Sequence, residues 1–213
     1  MSSDIDLLRA WADGDRDAGD ALFERHFEAL YRFFRSKQST DIHDLVQDTF
    51  LRCLDSIDRF RGHSSFRAFL FGVARRVLYD RLRAIYRDRE DGDLGELSAA
   101  DVGTSPSQML ARREEQRLLL EGLRTIPLHH QLALELVYWE QLSGVELAEV
   151  LEVGHNTARN KLRLARLALA KRIEELASSP EALQSTLDDI ERWAASIRDL
   201  VPTPPDDSPH RHG

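Results

Sequence analysis

The segment from Asp41 to Arg83 constrains the fold most strongly, because its apolar residues follow two successive helical periods. In the first half these residues recur at intervals of three and four, and the same spacing returns from Phe66 after a polar loop at 61–65. Such spacing places one continuous apolar stripe on each helix. The segment therefore predicts two amphipathic helices joined by a short loop.

Helical spacing also dominates the rest of the chain, and no stretch alternates with period two between turn residues, so strands are not expected. Between 89 and 107 the sequence is acidic and poor in large apolar residues, which is typical of an extended linker. The predicted fold is all-α. It comprises a helical bundle domain at 1–88, a flexible acidic linker at 89–107, a helix-turn-helix domain at 108–178, and a C-terminal helical extension with a disordered tail at 179–213.

A short helix, a glycine-containing turn and a basic helix follow one another after Ser143. Ser143 and Glu146 are spaced as in a capping box, and Gly154 lies in the turn. Although the net charge of the chain is −8, residues 155–172 carry six Lys or Arg residues and no acid. A solvated basic face would explain that run alone, but the turn spacing and the small polar residues at the helix start favour DNA binding. The predicted DNA contacts are His155, Asn156, Thr157, Arg159, Asn160, Lys161 and Arg163.

The outward faces of the two helices between Asp41 and Arg83 have opposite chemical character. The first face is an acidic strip containing one leucine, formed by Asp44, Gln47, Asp48, Leu51 and Asp55. The second sets aromatic residues among arginines and contains Arg67, Phe71, Arg75, Arg76, Tyr79 and Arg83. Spacing alone would make the first a solvated face. Exposed aromatics beside arginines offer stacking surfaces and phosphate contacts for single-stranded DNA. The two faces therefore predict one protein partner and one nucleic-acid partner.

The order of these motifs resembles the extracytoplasmic-function (ECF) sigma factors over roughly Ile5 to Leu176. The resemblance is carried by DLVQDTF, RFRG and SFRAFLF in the first part, and by IPLHHQLALELVYWEQLSGVELAEVL before the basic helix. It implies an alternative sigma factor that binds core RNA polymerase, recognises −35 and −10 promoter elements and promotes promoter melting. An anti-sigma factor is a further candidate partner.

The resemblance also assigns a role to each candidate residue. It implies polymerase contacts for Asp44, Gln47, Asp48 and Leu51. It implies −10 contacts for Arg61, His63, Ser64, Phe71, Arg75, Arg76, Tyr79 and Arg83, the first three of which lie in the loop where the family holds a flipped base. The basic helix from His155 to Arg163 would read the −35 element. Residues 154–157 read Gly-His-Asn-Thr where the family commonly has Pro-Val-Gly-Thr, so the promoter sequence does not carry over.

Other classes of function find no support in the sequence. There is no glycine-rich phosphate loop, HExxH, paired-cysteine spacing or serine elbow, so no enzyme activity, cofactor or metal is predicted. Cys53 lies on an apolar stripe and is predicted to be a core residue. No apolar run has the length of a membrane span and no secretory signal is evident, which predicts a cytoplasmic protein. Two alternatives remain open: a stand-alone helix-turn-helix regulator and a helical adaptor that binds only proteins.

Overall fold

The computed structural model describes residues 2–37, 40–57, 60, 65–86, 97–100 and 114–177. Within these ranges the chain forms eight α-helices. An isolated β-bridge links Ser98 and Pro127. The prediction of an all-α fold is therefore confirmed. None of the helices in this part of the chain combines the length and apolar character needed to cross a bilayer.

The first four helices, hereafter the first helical unit, pack around a shared apolar core. They are α1 (Asp4–Ala12), α2 (Arg16–Arg35), α3 (Ile42–Asp55) and α4 (Phe66–Ile85). The stripes predicted for α3 and α4 face this core, since Leu45, Phe50 and Leu70 are buried. Side-chain oxygens of Asp15 and Ser65 accept hydrogen bonds from the first turns of α2 and α4. These caps satisfy backbone N–H groups that have no partner inside the helix.

Asp41 occupies the N-cap position of α3, but its side chain does not cap the helix. Its φ is 58°, in the left-handed region that aspartate tolerates better than most residues, and its carboxylate accepts no bond from the first turn. The carboxylate instead forms an ion pair with Arg81 of α4. The start of α3 is therefore tied to the neighbouring helix.

The remaining four helices form the helix-turn-helix unit. They are α5 (Glu114–Thr125), α6 (Leu128–Tyr138), α7 (Gly144–Leu151) and α8 (His155–Leu176). The predicted capping box is confirmed: Ser143 Oγ accepts from the Glu146 N–H at 3.3 Å, and Glu146 Oε2 accepts from the Ser143 N–H at 2.8 Å. α8 packs against α5, α6 and α7. This packing holds α7, its turn and α8 as the predicted helix-turn-helix.

The prediction of an extended linker is wrong for the four residues from Leu97 to Ala100. The Leu128 N–H donates to the Leu97 carbonyl at 2.7 Å, the Ala100 N–H donates to the Arg124 carbonyl at 2.9 Å, and Ala99 is buried. The segment satisfies backbone groups around the break between α5 and α6, which its composition does not reveal. The other residues of 89–107 lie outside the described part of the chain.

A buried histidine in α2 makes a testable contribution to the pH dependence of stability. His26 Nε2 lies 2.9 Å from Asp4 Oδ2, but burial outweighs this carboxylate and lowers the pKa of His26 below its usual 6.5. Between the lowered pKa and 6.5 the unfolded chain binds a proton that the folded chain lacks, so stability is lost as the pH falls through this window.

We therefore expect the free energy of unfolding to decrease between about pH 7.5 and about pH 5.5, and the His26→Gln variant to show a flatter decrease. Urea unfolding followed by circular dichroism at several pH values measures the slope. His43→Gln, which changes an exposed histidine of α3, is the matched control and should behave like the wild type. Equal slopes for the wild type and His26→Gln would contradict the assignment.

Candidate functional site

The outer surface of α3 presents the acidic strip predicted from the sequence. Asp44 and Gln47 are exposed, Asp48 is half-buried, and Leu51 is 57% exposed. The helical period places these residues opposite the buried stripe that includes Phe50. An exposed leucine among polar side chains is the mixed composition found where protein interfaces have their apolar centre.

An arginine on α3 partly neutralises this acidic strip. Arg52 Nη2 lies 3.1 Å from Asp48 Oδ2, and Arg52 Nη1 donates to Asp80 Oδ2 of α4 at 2.5 Å. The hydrogen bond that Arg52 donates to Asp80 is the main cause of the raised pKa of Arg52. Within the described residues Asp44 has no ion pair of this kind. The charge of Asp44 is therefore less neutralised by a neighbouring arginine than that of Asp48, and it is available to a partner.

An open cleft of about 360 Å³ lies beside Leu51 and was not predicted from the sequence. Trp11 of α1 and Phe23 of α2 line it together with Gln47, Phe50 and Leu51 of α3. The packing of three helices brings Trp11 next to α3. The cleft extends the apolar part of the α3 surface toward the start of the chain.

Gly19 on α2 permits the close approach that forms this cleft. A Cβ atom at this position would lie 2.7 Å from the indole ring of Trp11, closer than such contacts normally allow. The Trp11 ring in turn meets Phe50 edge-on, with 6.3 Å between the ring centroids. A glycine at this position is therefore required for α1 to carry Trp11 against α2.

The predicted DNA-binding face of α4 is present, but the helix-turn-helix unit covers much of it. The predicted exposure of Phe71 is wrong, since its side chain is 0% exposed and its ring lies 5.6 Å from that of Phe33. One turn before and after Phe71, Arg67 and Arg75 contact residues of the helix-turn-helix unit. Phe71 is therefore buried against α2 of its own unit, on the helix face whose neighbouring arginines contact Glu140 and Val150.

The arginines of this face make ion pairs with the same unit. Arg76 Nη2 lies 2.6 Å from Glu152 Oε1, and Arg75 Nη1 lies 3.5 Å from Glu152 Oε2. The Arg75 guanidinium also lies 5.4 Å from the ring centroid of Tyr79, which is half-buried. Arg75, Arg76 and Tyr79 thus form a cationic and aromatic group, as predicted, but with a carboxylate held against it.

The remaining residues predicted to contact the −10 element divide into two groups. Arg83 is exposed at the end of α4, where its Nη1 donates to Asp80 Oδ1 at 3.0 Å. Arg61, His63 and Ser64 lie outside the described residues. The structure therefore places Arg75, Arg76, Tyr79 and Arg83 along one helix and does not test the loop.

The first half of α8 exposes the residues predicted to contact DNA. The exposed members are His155, Asn156, Thr157, Arg159, Asn160 and Arg163, while Lys161 is half-buried. Arg163 Nη2 donates to Asn160 Oδ1 at 3.0 Å, so these two side chains form one polar group. The N-cap is Gly154, which has no side chain to occupy the first backbone N–H groups. Such N–H groups are suited to phosphate contacts.

The basic residues of α8 form two groups that differ in their contacts, which the sequence does not distinguish. Arg166 donates to the Tyr138 hydroxyl at 2.6 Å, and Arg172 Nε donates to Thr125 Oγ1 at 3.0 Å. These two arginines attach α8 to the helices beneath it. Arg159, Lys161 and Arg163 lie nearer the turn, and none of them has an ion pair with another of the described residues.

The described residues contain no group of three or more His, Cys, Asp or Glu side chains arranged to hold a metal ion. Cys53 is buried in the first helical unit, and burial raises the pKa of its thiol to about 12. A thiol with such a pKa is a poor nucleophile at neutral pH. Cys53 therefore has the character of a core residue.

Comparison with known proteins gives a consistent result. The family model for Sigma-70 region 2 matches residues 22–88, which include most of α2 and all of α3 and α4. The RNA polymerase sigma factor YlaC of Bacillus subtilis (strain 168) is 30% identical over 163 residues, which cover 73% of this chain and 92% of the relative. The ECF RNA polymerase sigma-E factor of Haemophilus influenzae is 27% identical over 185 residues, which cover 82% of this chain and 97% of the relative.

Two solved structures share the fold. CnrH, in complex with the cytosolic domain of CnrY, matches with a TM-score of 0.58 and 23% identity, over 83% of this chain and 100% of that chain. The sigma factor RpoE, in complex with the anti-sigma factor NepR from Bartonella quintana, matches with a TM-score of 0.55 and 21% identity, over 73% of this chain and 96% of that chain. At these identities the match concerns the arrangement of the helices.

Proposed function

The chain belongs to the ECF sigma factors, alternative sigma factors that direct RNA polymerase to promoters, and from this premise we propose how its surfaces divide that task. The α3 surface with Asp44, Gln47, Asp48 and Leu51 binds core polymerase. The outer face of α4 holds the melted −10 strand, and the first half of α8 reads the −35 element. The observation that carries this proposal is the exposure of one acidic, leucine-containing surface on α3 and one basic, acid-free surface on α8.

The domain boundary lies after the end of α4 at Ile85 and before the segment from Leu97 to Ala100, hereafter the docked segment. The docked segment packs on the helix-turn-helix unit, which supports a boundary before Leu97 and agrees with a first domain ending near residue 88. Each DNA-binding surface alone would bind weakly. Together, at a spacing set by polymerase, they gain avidity without any new contact.

The first helical unit and the helix-turn-helix unit act by binding, without catalysis, in the cytoplasm where the polymerase works. An anti-sigma factor is a further proposed partner, because RpoE of Bartonella quintana is described in complex with the anti-sigma factor NepR. The α3 surface and the faces of α4 and α8 are the surfaces such a partner would have to cover.

In vitro transcription with core polymerase and a promoter library tests the proposal. We expect promoter-dependent transcripts in the presence of the full chain and none with core polymerase alone. Arg159→Ala combined with Lys161→Ala should weaken promoter binding of the holoenzyme. Each phosphate interaction that these substitutions remove should reduce the salt slope of binding by about 1.

Lys171→Ala is the matched control, because it removes an exposed charge from the end of α8 away from the turn. It should leave transcription and the salt slope close to those of the wild type. Unchanged promoter binding after the Arg159 and Lys161 substitutions would favour a protein-only adaptor. DNA binding and regulation that do not respond to polymerase would favour a stand-alone regulator.

A further inference from the structure

The helix-turn-helix unit presents carboxylates to the basic face of α4. Glu152 pairs with Arg76 at 2.6 Å and with Arg75 at 3.5 Å, while Glu140 Oε2 accepts from Arg67 Nη2 at 2.7 Å. Arg75 and Arg76 are the arginines that the proposed function assigns to the −10 strand. Carboxylates and phosphates make the same charge-assisted hydrogen bonds with guanidinium groups. Glu152 therefore occupies a position that a DNA phosphate would need, and Glu140 holds the neighbouring Arg67 together with Arg32 of α2.

The backbone around Glu152 holds its carboxylate in the turn between α7 and α8. Glu152 is the C-cap of α7, with a left-handed φ of 56°, and its N–H bonds back to the carbonyls of Ala148 and Glu149. Glycine or asparagine would adopt this conformation with less strain. A glutamate at this position supplies a fixed carboxylate that reaches across to α4, which gives the strained residue a purpose beyond ending the helix.

A buried ion pair joins the units near the end of α2. Lys37 is fully buried and pairs with Glu135 of α6, and Gln131 Nε2 donates to Glu135 Oε1 at 2.7 Å. Burial lowers the pKa of Lys37 despite this carboxylate, because the ammonium is shielded from water. Charged groups regain hydration when such an interface separates. Rehydration of Lys37 and Glu135 would therefore offset part of the cost of separating the two units.

We propose that the free chain is closed by this interface, and that Glu152 of the helix-turn-helix unit acts as a phosphate mimic that keeps single-stranded DNA off α4. The inference rests on the proposed role of α4 in holding the melted strand. Opening of the two units frees Arg75 and Arg76 from Glu152.

The closure is asymmetric in its effect on the two DNA-binding surfaces. The first half of α8, from His155 to Arg163, remains exposed in the closed form, apart from the buried Ala158 and the half-buried Lys161 and Leu162. Closure therefore withholds the surface for single strands and leaves the surface for duplex DNA accessible. The apparent affinity of the free chain for single strands is the affinity of the open form reduced by the fraction that is open.

The test compares binding of a fluorescein-labelled single-stranded 20-mer of mixed sequence by full-length variants at low salt. Glu140→Gln combined with Glu152→Gln removes both charges while keeping the side-chain shapes. We expect this variant to bind the oligonucleotide about 5- to 10-fold more tightly than the wild type, through a larger open fraction. Affinity for a labelled duplex should change by less than about 2-fold.

The two single variants Glu149→Gln and Glu152→Gln form a matched comparison. Glu149 is an exposed acid on α7 with no described ion pair to α4, so its substitution changes the net charge equally without touching the interface. Equal gains in single-strand binding for Glu149→Gln and Glu152→Gln would overturn the proposal in favour of a general charge effect. Failure of the double variant to bind the oligonucleotide more tightly would overturn it as well.

Spin labels measure the opening directly and without DNA. Cysteines introduced at the exposed positions Glu28 of α2 and Glu174 of α8 carry the labels, and the buried Cys53 thiol does not compete for them. The wild-type chain should give one short distance distribution, with a longer component in the double variant and after addition of core polymerase. Identical distributions in all three samples would overturn the proposal. Absence of transcription would count against the proposed function, whereas the distance measurement would still report on the closure.

Discussion

Replacing Leu51 with lysine should weaken binding of the chain to core RNA polymerase by about 30-fold or more, which corresponds to about 2 kcal/mol. Leu51 is 57% exposed and borders the cleft lined by Trp11 and Phe23, so it offers the apolar centre that the acidic α3 surface would otherwise lack. A lysine would place a charge in that apolar centre, which a partner could cover only by desolvating the charge. Since the side chain is exposed, the fold should be retained.

Titration of fluorescently labelled chain with core polymerase measures this effect. Ile85→Lys is the matched control, because Ile85 is 50% exposed and lies in the last turn of α4, where a positive charge suits the helix dipole. The control should bind polymerase like the wild type. If Leu51→Lys also bound like the wild type, the α3 surface would not be the polymerase-binding surface, although the chain would remain an ECF sigma factor.

Replacing the adjacent Phe50 with alanine should act on the fold itself and reduce the free energy of unfolding by about 3–5 kcal/mol. Phe50 is buried, and its ring centroid lies 5.1 Å from that of Phe23 and 6.3 Å from that of Trp11. Truncation would leave a cavity beneath the cleft that rigid helices cannot fill completely. Substitution of Phe50 should therefore lower the stability of the fold, whereas substitution of its neighbour Leu51 should weaken partner binding.

Urea unfolding followed by helical circular dichroism measures this loss of stability. Phe50→Leu keeps an apolar side chain in the core and should cost substantially less than alanine, because it leaves a smaller cavity. A small effect of Phe50→Ala would mean that α1 collapses into the vacated space. In that event the shape of the cleft would change, and polymerase binding should fall together with it.

The contrast between Phe50 and Leu51 could be predicted from the sequence. Both residues follow from the helical period of α3, since the apolar stripe of a single amphipathic helix indicates which side faces its own core. The same reasoning predicted the capping box of Ser143 and Glu146, because both partners lie within one turn. Local patterns of this kind depend on residues close together in the chain.

Phe71 and the segment from Leu97 to Ala100 show where such reasoning ends. Periodicity placed Phe71 on the outer side of α4, but its side chain is buried and its ring packs against Phe33 of α2. The acidic composition around Leu97 suggested a tether, but backbone hydrogen bonds to Leu128 and Arg124 hold it in place. Both outcomes depend on contacts that no local pattern encodes.

The sequence by itself determined the all-α class, the helix-turn-helix and the separation of an acidic α3 surface from a basic α8 surface, because helical periodicity and capping act within a few residues. Tertiary structure alone decided that Trp11 extends the α3 surface, that Arg166 and Arg172 anchor α8, and that Glu152 faces Arg75 and Arg76. The physical reason is that burial and ion pairing depend on which helices pack together, and that choice is made by the whole chain.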